Sequence, residues 1–273
     1  MTLVKMLLCM LACLFVADQL FNDVAASDPR PCIQRRYAPS SSVVCVCNST
    51  YCDDFPPVGE EVEDPEKAVL YVSSLSGKYF DRQVLKVARP HSIRHRRHQT
   101  STNITSDTST RIEVSINPNR HYQLALGFGG AFTDSVGINL NALSSAARAN
   151  LLHSYFGSTG IEYTTGRVPM ASTDFSTRIY SYDDHVRDMQ LENFSLPEED
   201  LTLKIPYIKH AIELSGSRGL KLFATPWSAP GWMKDTDRMQ GSGKLKGSFN
   251  GPYYKTWALY FIKWVVVRVV CVG

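Results

Sequence analysis

From His121 onward the chain alternates short strand signals with stretches of helical periodicity, and that alternation restricts it to βα units on a parallel sheet. Residues 124–130 end in glycines, with Asp134 four residues on. The Gly127-Phe128-Gly129-Gly130 run is not a dinucleotide fingerprint, because Phe132 occupies the sixth position where Gly or Ala belongs. The first helix is expected over 144–156: Ser144 caps it, Ala147, Leu151, Leu152 and Tyr155 share one face, and Gly157 stops it. A second strand is expected over 163–168, with Gly166 weakening its interior and Pro169 marking its end. Ser195-Leu196-Pro197-Glu198 has the capping-box pattern, and a helix follows with Pro206 in its first turn and Ile208, Ala211 and Ile212 inward. Gly216 ends that helix and a third strand spans 220–224. Residues 240–247, rich in Gly and Lys, read as a mobile surface loop. A last helix starts at Pro252 with Tyr253, Trp257, Phe261 and Trp264 as a core stripe. The closing nine residues hold six valines and read as a strand.

Two strand ends deliver chemistry. The first brings Arg167, Asp174 and Phe175; the second brings Trp227 and Trp232 within a Pro-rich loop. In parallel α/β barrels the C-terminal strand ends carry the site. Arginine, aspartate and aromatic rings together suit a neutral, hydroxyl-rich ring with one apolar face, which describes a sugar.

Upstream, Met1–Ala26 has the layout of a secretory signal peptide: Lys5, an apolar run over 6–17, and Val24-Ala25-Ala26 for cleavage. Secretion makes Cys32, Cys45, Cys47 and Cys52 a two-disulfide cluster, with three connectivities open. Cys45-Val46-Cys47 lacks the two-residue gap of a zinc site. Asn48, Asn103 and Asn193 each begin a glycosylation sequon. Residues 69–73, 83–88 and 111–116 read as antiparallel strands. Between the last two lies a His- and Arg-rich stretch, 91–98, whose arginines would repel a metal cation. It reads as a solvated loop able to meet anionic lipid once its histidines are charged. The chain of 273 residues carries 29 Lys+Arg against 26 Asp+Glu, a formal charge of +3. That bias is too weak to argue for nucleic acid. No Gly-x-Ser-x-Gly elbow occurs, outside the cluster and the signal the one cysteine is Cys271, and no residue set suggests a metal or cofactor.

In order and spacing the chain resembles the lysosomal acid β-glucosidase (glucosylceramidase) family of retaining glycosidases. The residues that carry this are Pro31-Cys32, Ser42-Val43-Val44-Cys45-Val46-Cys47-Asn48, Tyr51-Cys52-Asp53, Gly127-Phe128-Gly129-Gly130-Ala131 with Thr133-Asp134, and Arg167 to Ser172 with Asp174-Phe175-Ser176. Further on come Asn193-Phe194-Ser195-Leu196-Pro197-Glu198-Glu199-Asp200, Leu203-Lys204-Ile205-Pro206, and Thr256-Trp257-Ala258 with Tyr260-Phe261.

The resemblance implies a (β/α)8 barrel with an accessory all-β domain, here about three βα units. The implied layout is signal peptide 1–26, disulfide-stapled β segment 27–54, part of the accessory β domain 55–120, barrel units 121–264 and a divergent hydrophobic tail 265–273. It selects the pairs Cys32–Cys45 and Cys47–Cys52. It gives Asp174 to glucose hydroxyls, Trp227 to the sugar platform and Arg167 to holding nearby carboxylates, and it counts Phe175 among the substrate-binding residues. The implied activity is hydrolysis of glucosylceramide at a membrane surface in the lysosome lumen, helped by a saposin-type activator and anionic lipid. The family's acid/base sits in an Asn-Glu-Pro motif, absent from this sequence, and the likeness stops near Trp264. The expectation is therefore a chain without either catalytic glutamate and inactive alone. The other reading is a non-catalytic splice product or mis-drawn gene model with at most weak glycolipid binding. Asp134 with Asp174 is the substitute carboxylate pair to weigh, against Asp174 binding hydroxyls and Asp134 capping a loop.

Overall fold

A computed structural model describes residues 29–37, 43–58, 60–75, 77–87, 114–117 and 119–272. The signal-peptide expectation, the Asn103 sequon and the His-Arg stretch at 91–98 lie outside the described residues.

The N-terminal strands come as two separate antiparallel pairs. β1 (Gln34–Arg36) pairs with β2 (Val43–Cys45), and β3 (Lys67–Ser74) pairs with β4 (Lys78–Lys86) through a bulge between Val72 and Ser74. The two disulfides are Cys32–Cys45 and Cys47–Cys52, with Cα separations of 5.1 and 4.3 Å. This stapled segment docks on the helical part: the Phe55 amide donates to the Thr159 carbonyl at 2.8 Å, and the Thr159 hydroxyl to Asp54 Oδ1 at 3.0 Å. Arg30 grips the same carboxylate with Nε at 2.9 Å and Nη2 at 2.7 Å. The strand expected over 111–116 is not found in its described part. Val114 and Ile116 are 77% and 80% exposed, and no described strand offers them a ladder.

β5 is short (Gly129–Ala131) and leads at once into α1 (Asp134–Ala142), a helix the sequence reading missed. Thr133 caps it, accepting from the Val136 amide at 3.3 Å. Asp134 is thus the first helical residue rather than a loop cap. Gly137 weakens any helix signal over this stretch, since glycine is a poor helix former. It is needed, because a Cβ there would stand 2.2 Å from the Leu203 carbonyl oxygen. α2 (Ser145–Phe156) keeps the expected ends, capped by the Ser144 hydroxyl and closed at Gly157.

β6 (Thr165–Met170) lies between β5 and a third parallel strand, β7 (Lys221–Pro226), which gives the order β5-β6-β7. Pro169 sits inside β6, one residue before its end and opposite Thr225, rather than after it. Gly166 is a packing requirement in mid-strand: a Cβ would come within 2.7 Å of the Phe132 ring. Next, Asp200–Lys204 form a wide π turn in which the Ile205 amide reaches the Asp200 carbonyl. α3 (Ile205–Ser215) follows with Pro206 in its first turn. Pro206 lacks an N–H and crowds the preceding carbonyls, and the wide turn accommodates both. Ser195 does not act as the expected cap; its amide donates to the Tyr182 carbonyl at 2.9 Å, while Pro197 O receives the Asp200 amide at 3.1 Å. β7 (Lys221–Pro226) completes the sheet in register Arg167↔Phe223 and Pro169↔Thr225.

α4 (Pro252–Val272) runs through the valine-rich tail without a break, so the strand expected there is a helix. Once nucleated, a helix gains one hydrogen bond per added residue, and β-branching lowers that gain only slightly. Its buried stripe is Thr256, Tyr260 and Trp264, an i, i+4 series, while Phe261 is 36% exposed. Phe261 is therefore not a core residue. The core gathers Phe132, Leu152, Val168, Ile208, Met233 and Tyr260 between the sheet and the helices. Among the described residues, no helix is long and apolar enough to cross a membrane.

Candidate functional site

β6 ends by turning sharply at Ala171, whose φ of 65° places a non-glycine residue in the left-handed region. That conformation costs roughly 1–2 kcal/mol, and the surroundings hold it. Ala171 is buried, and its carbonyl accepts from Lys204 Nζ at 3.4 Å. The Ser172 hydroxyl donates to the Tyr180 carbonyl at 2.9 Å and closes the loop that presents Asp174 and Phe175.

Beneath this loop lies a dry ionic network. Lys204 Nζ stands 3.1 Å from Asp134 Oδ1, 3.4 Å from Asp200 Oδ2 and 3.0 Å from the Tyr180 hydroxyl. Tyr180 donates onward to Asp134 at 2.9 Å, and Tyr182 to Asp200 at 3.0 Å. One ammonium faces two carboxylates, so the tyrosine hydroxyls supply the remaining donors. Burial, and then the charges of Asp134 and Asp200, push the Tyr180 hydroxyl far above the ordinary phenol range. Asp134 is committed to Lys204 at 2% exposure, while Asp174 is solvent-exposed on the loop above. Asp134 is thus spent on Lys204 rather than free to serve as a second carboxylate beside Asp174.

Arg167 and Trp227 do meet. The guanidinium carbon lies 4.1 Å from the centre of the Trp227 ring, and Nε donates to Thr225 Oγ1 at 2.6 Å. Trp227 is 50% exposed, with its ring available at the C-terminal end of β7. Phe175 turns elsewhere. Its carbonyl accepts the Ser135 amide at 3.0 Å and the Ser135 hydroxyl at 2.8 Å, and the residue helps line a cavity of about 640 Å³ with Val136, Leu140 and Tyr155. Trp232, delivered by the same loop as Trp227, is buried and donates from Nε1 to the Asp183 carbonyl at 2.9 Å. The stretch expected to be a mobile loop at 240–247 is tied back, with a Lys234↔Leu245 bridge and the Lys246 amide on Met233 O at 2.9 Å.

Of the sequons, Asn48 and Asn193 are exposed. Asn48 Oδ1 accepts from the Thr50 hydroxyl at 3.0 Å, and Asn193 Nδ2 donates to Asp188 at 3.0 Å. Cys32, Cys45 and Asp53 come close enough for a metal cluster, but both sulfurs are in a disulfide and cannot ligate. The sequence reading missed Thr225 and Lys204. Thr225 carried a signal in its strand-end position; the burial of Lys204 carried none.

A family model described as the glycosyl hydrolase family 30 TIM-barrel domain matches residues 125–267. The mouse protein "Lysosomal acid glucosylceramidase" is 42% identical over 247 residues, which is 90% of this chain and 44% of that protein. "Putative glucosylceramidase 4" of Caenorhabditis elegans is 44% identical over 250 residues, 92% of this chain and 44% of that protein. Among solved structures, SrfJ from Salmonella typhimurium is 34% identical with a TM-score of 0.47, over 54% of this chain and 32% of that one. The chain spans less than half the length of these curated relatives. With a family model covering more than half of its own residues and parallel strands running β5-β6-β7, the chain belongs to glycosyl hydrolase family 30.

Proposed function

We propose that this chain supplies the glucose-recognising side of a retaining β-glucosidase site acting on glucosylceramide. The observation that carries the reading is the stacked Arg167–Trp227 pair at the C-terminal strand ends, its ring half open to solvent. In this reading Trp227 stacks on the apolar face of the sugar. The Arg167 N–H groups not spent on Thr225 take a hydroxyl or hold a carboxylate, and Asp174 accepts from hydroxyls on the loop above. Phe175 serves through its backbone, fixing that loop on α1.

A retaining mechanism needs two carboxyl groups about 5–5.5 Å apart, one nucleophile and one acid/base. Asp134 is withdrawn into the Lys204 network, and the sequence holds no Asn-Glu-Pro motif. The chain alone therefore binds without turnover. Secretory passage to a lysosomal lumen belongs to the same proposal, supported by the name of the mouse relative and the sequons; an activator protein and anionic lipid enter it on the family resemblance alone. The test is a titration of Trp fluorescence with glucose and octyl β-glucoside, run beside a fluorogenic β-glucoside assay. Saturable quenching lost in Trp227→Ala, without product release, is the expected result. Absence of binding would remove the proposal, and turnover would overturn the non-catalytic part.

A further inference from the structure

Asp183 is a buried acid that nothing above uses. Its carboxyl is 0% exposed; Oδ1 accepts the His185 amide at 3.0 Å, while Oδ2 has no hydrogen-bond partner. The group facing it is another carboxylate, Asp188, held by the Asn193 amide at 2.8 Å and the Asn193 side chain at 3.0 Å. A buried carboxyl set beside a second carboxylate keeps an unsatisfied oxygen unless a proton lies between them.

The counter-charge beside it, the His185 ring, makes no hydrogen bond to Oδ2. On the same loop, the His185 ring is 67% exposed and lies 3.6 Å from Oδ1, the oxygen already satisfied. Asp184 turns to the Ser181 hydroxyl at 2.5 Å. From α4, the Tyr260 hydroxyl accepts the Tyr182 amide at 2.9 Å and makes no hydrogen bond to Oδ2. From the loop after β7, Trp232 Nε1 reaches the backbone carbonyl of Asp183, not its carboxyl. That bond joins the Asp183 loop to the loop carrying Trp227.

We propose that a proton shared by Asp183 and Asp188 clamps the 181–194 loop against the loop after β7, so that these two loops are locked together in acid and loosened at neutral pH. Desolvation first, then the Asp188 carboxylate, push the Asp183 carboxyl up to about 6. The folded chain therefore binds this proton where the unfolded chain, at the ordinary aspartate value, has lost it. The stabilisation is full below about pH 4 and vanishes as pH rises through about 6. Across that window the folding equilibrium constant changes on the order of 100-fold.

The clamp does not rest on the proposed sugar site and is tested without substrate. Hydrogen exchange of residues 181–194 and 227–236 is followed at pH 4.5 and 7.0, with intrinsic-rate correction, in the unmodified chain and in Asp183→Asn. The carboxamide that this substitution introduces donates where the shared proton did and cannot ionise. The expected result is protection that falls at neutral pH in the unmodified chain and stays level in the variant. Equal pH dependence in both overturns the clamp. If Asp183→Asn fails to fold, carboxyl ¹³C titration of the unmodified chain decides. One aspartate titrating near 6 supports the clamp; all titrating below 5 overturns it.

Discussion

Lys204 meets Asp134 at 3.1 Å across a junction that joins the start of α1 to the wide turn before α3, with both side chains almost wholly buried. Removing the ammonium alone strands two carboxylates in the core. Lys204→Met should cost about 3–5 kcal/mol, read as a lower urea midpoint or loss of soluble protein. Pairing it with Asp134→Asn should recover part of the loss. A Lys204→Met chain as stable as the parent would mean that the network contributes nothing.

Replacing Trp227 by Ala removes the ring under Arg167, and Arg167→Lys keeps the charge but not the planar fork that stacks on it. The stack itself is worth roughly 0.5–1 kcal/mol at a half-exposed site, so both variants should melt within a few degrees of the parent. Sugar-induced fluorescence or calorimetric signals should disappear in the first and weaken in the second. Unchanged glucoside affinity in Trp227→Ala would place the sugar elsewhere.

Gly166→Ala drives a methyl to within 2.7 Å of Phe132 and 3.0 Å of Leu222. Phe132 cannot retreat, because its ring stacks on Phe156 at 5.8 Å. Overpacking of this kind costs about 1–3 kcal/mol. Denaturant melts should show that loss, with partial recovery in Gly166→Ala/Phe132→Leu.

Arg30, through its bidentate bond, holds the Asp54 carboxyl down to about 2. A depressed carboxylate contributes stability above its ordinary value near 4 and loses it as pH falls through 2. The stapled segment should therefore stay docked at pH 4 and release toward pH 2, seen as rising exchange in residues 43–58. Asp54→Asn should leave that segment loosely docked at both pH values.

The sequence disclosed the elements whose ends are written locally. Ser144 and Gly157 bound α2 because a hydroxyl cap and a terminal glycine act within one turn. Both disulfides followed from the family likeness, not from spacing. What stayed hidden depends on contacts between distant segments. Gly137 weakens the local helix signal and is a contact with Leu203; Gly166 looked like a strand defect and is the seat of Phe132. The valine-rich tail carried a true β preference, overridden by the helix already running into it. At the site, Arg167 and Trp227 were legible from their strand ends, while the turning of Phe175 toward α1 depends on Ser135, forty residues earlier.

The wide turn at Asp200–Lys204 also governs how this chain can change in length. Deleting one residue from it would restore ordinary α pitch and rotate everything before it by about 100° around the axis of α3. Asp200 would swing away from Tyr182 and Glu199 from Arg178, whose Nε now reaches it at 2.6 Å. Leu201 is 51% exposed, and Thr202 lies beside it on the surface with its hydroxyl donating to the Glu198 carbonyl at 2.9 Å, so substitutions here cost little. Their number cannot change: at this spot on the surface, insertions and deletions are forbidden where substitutions are not.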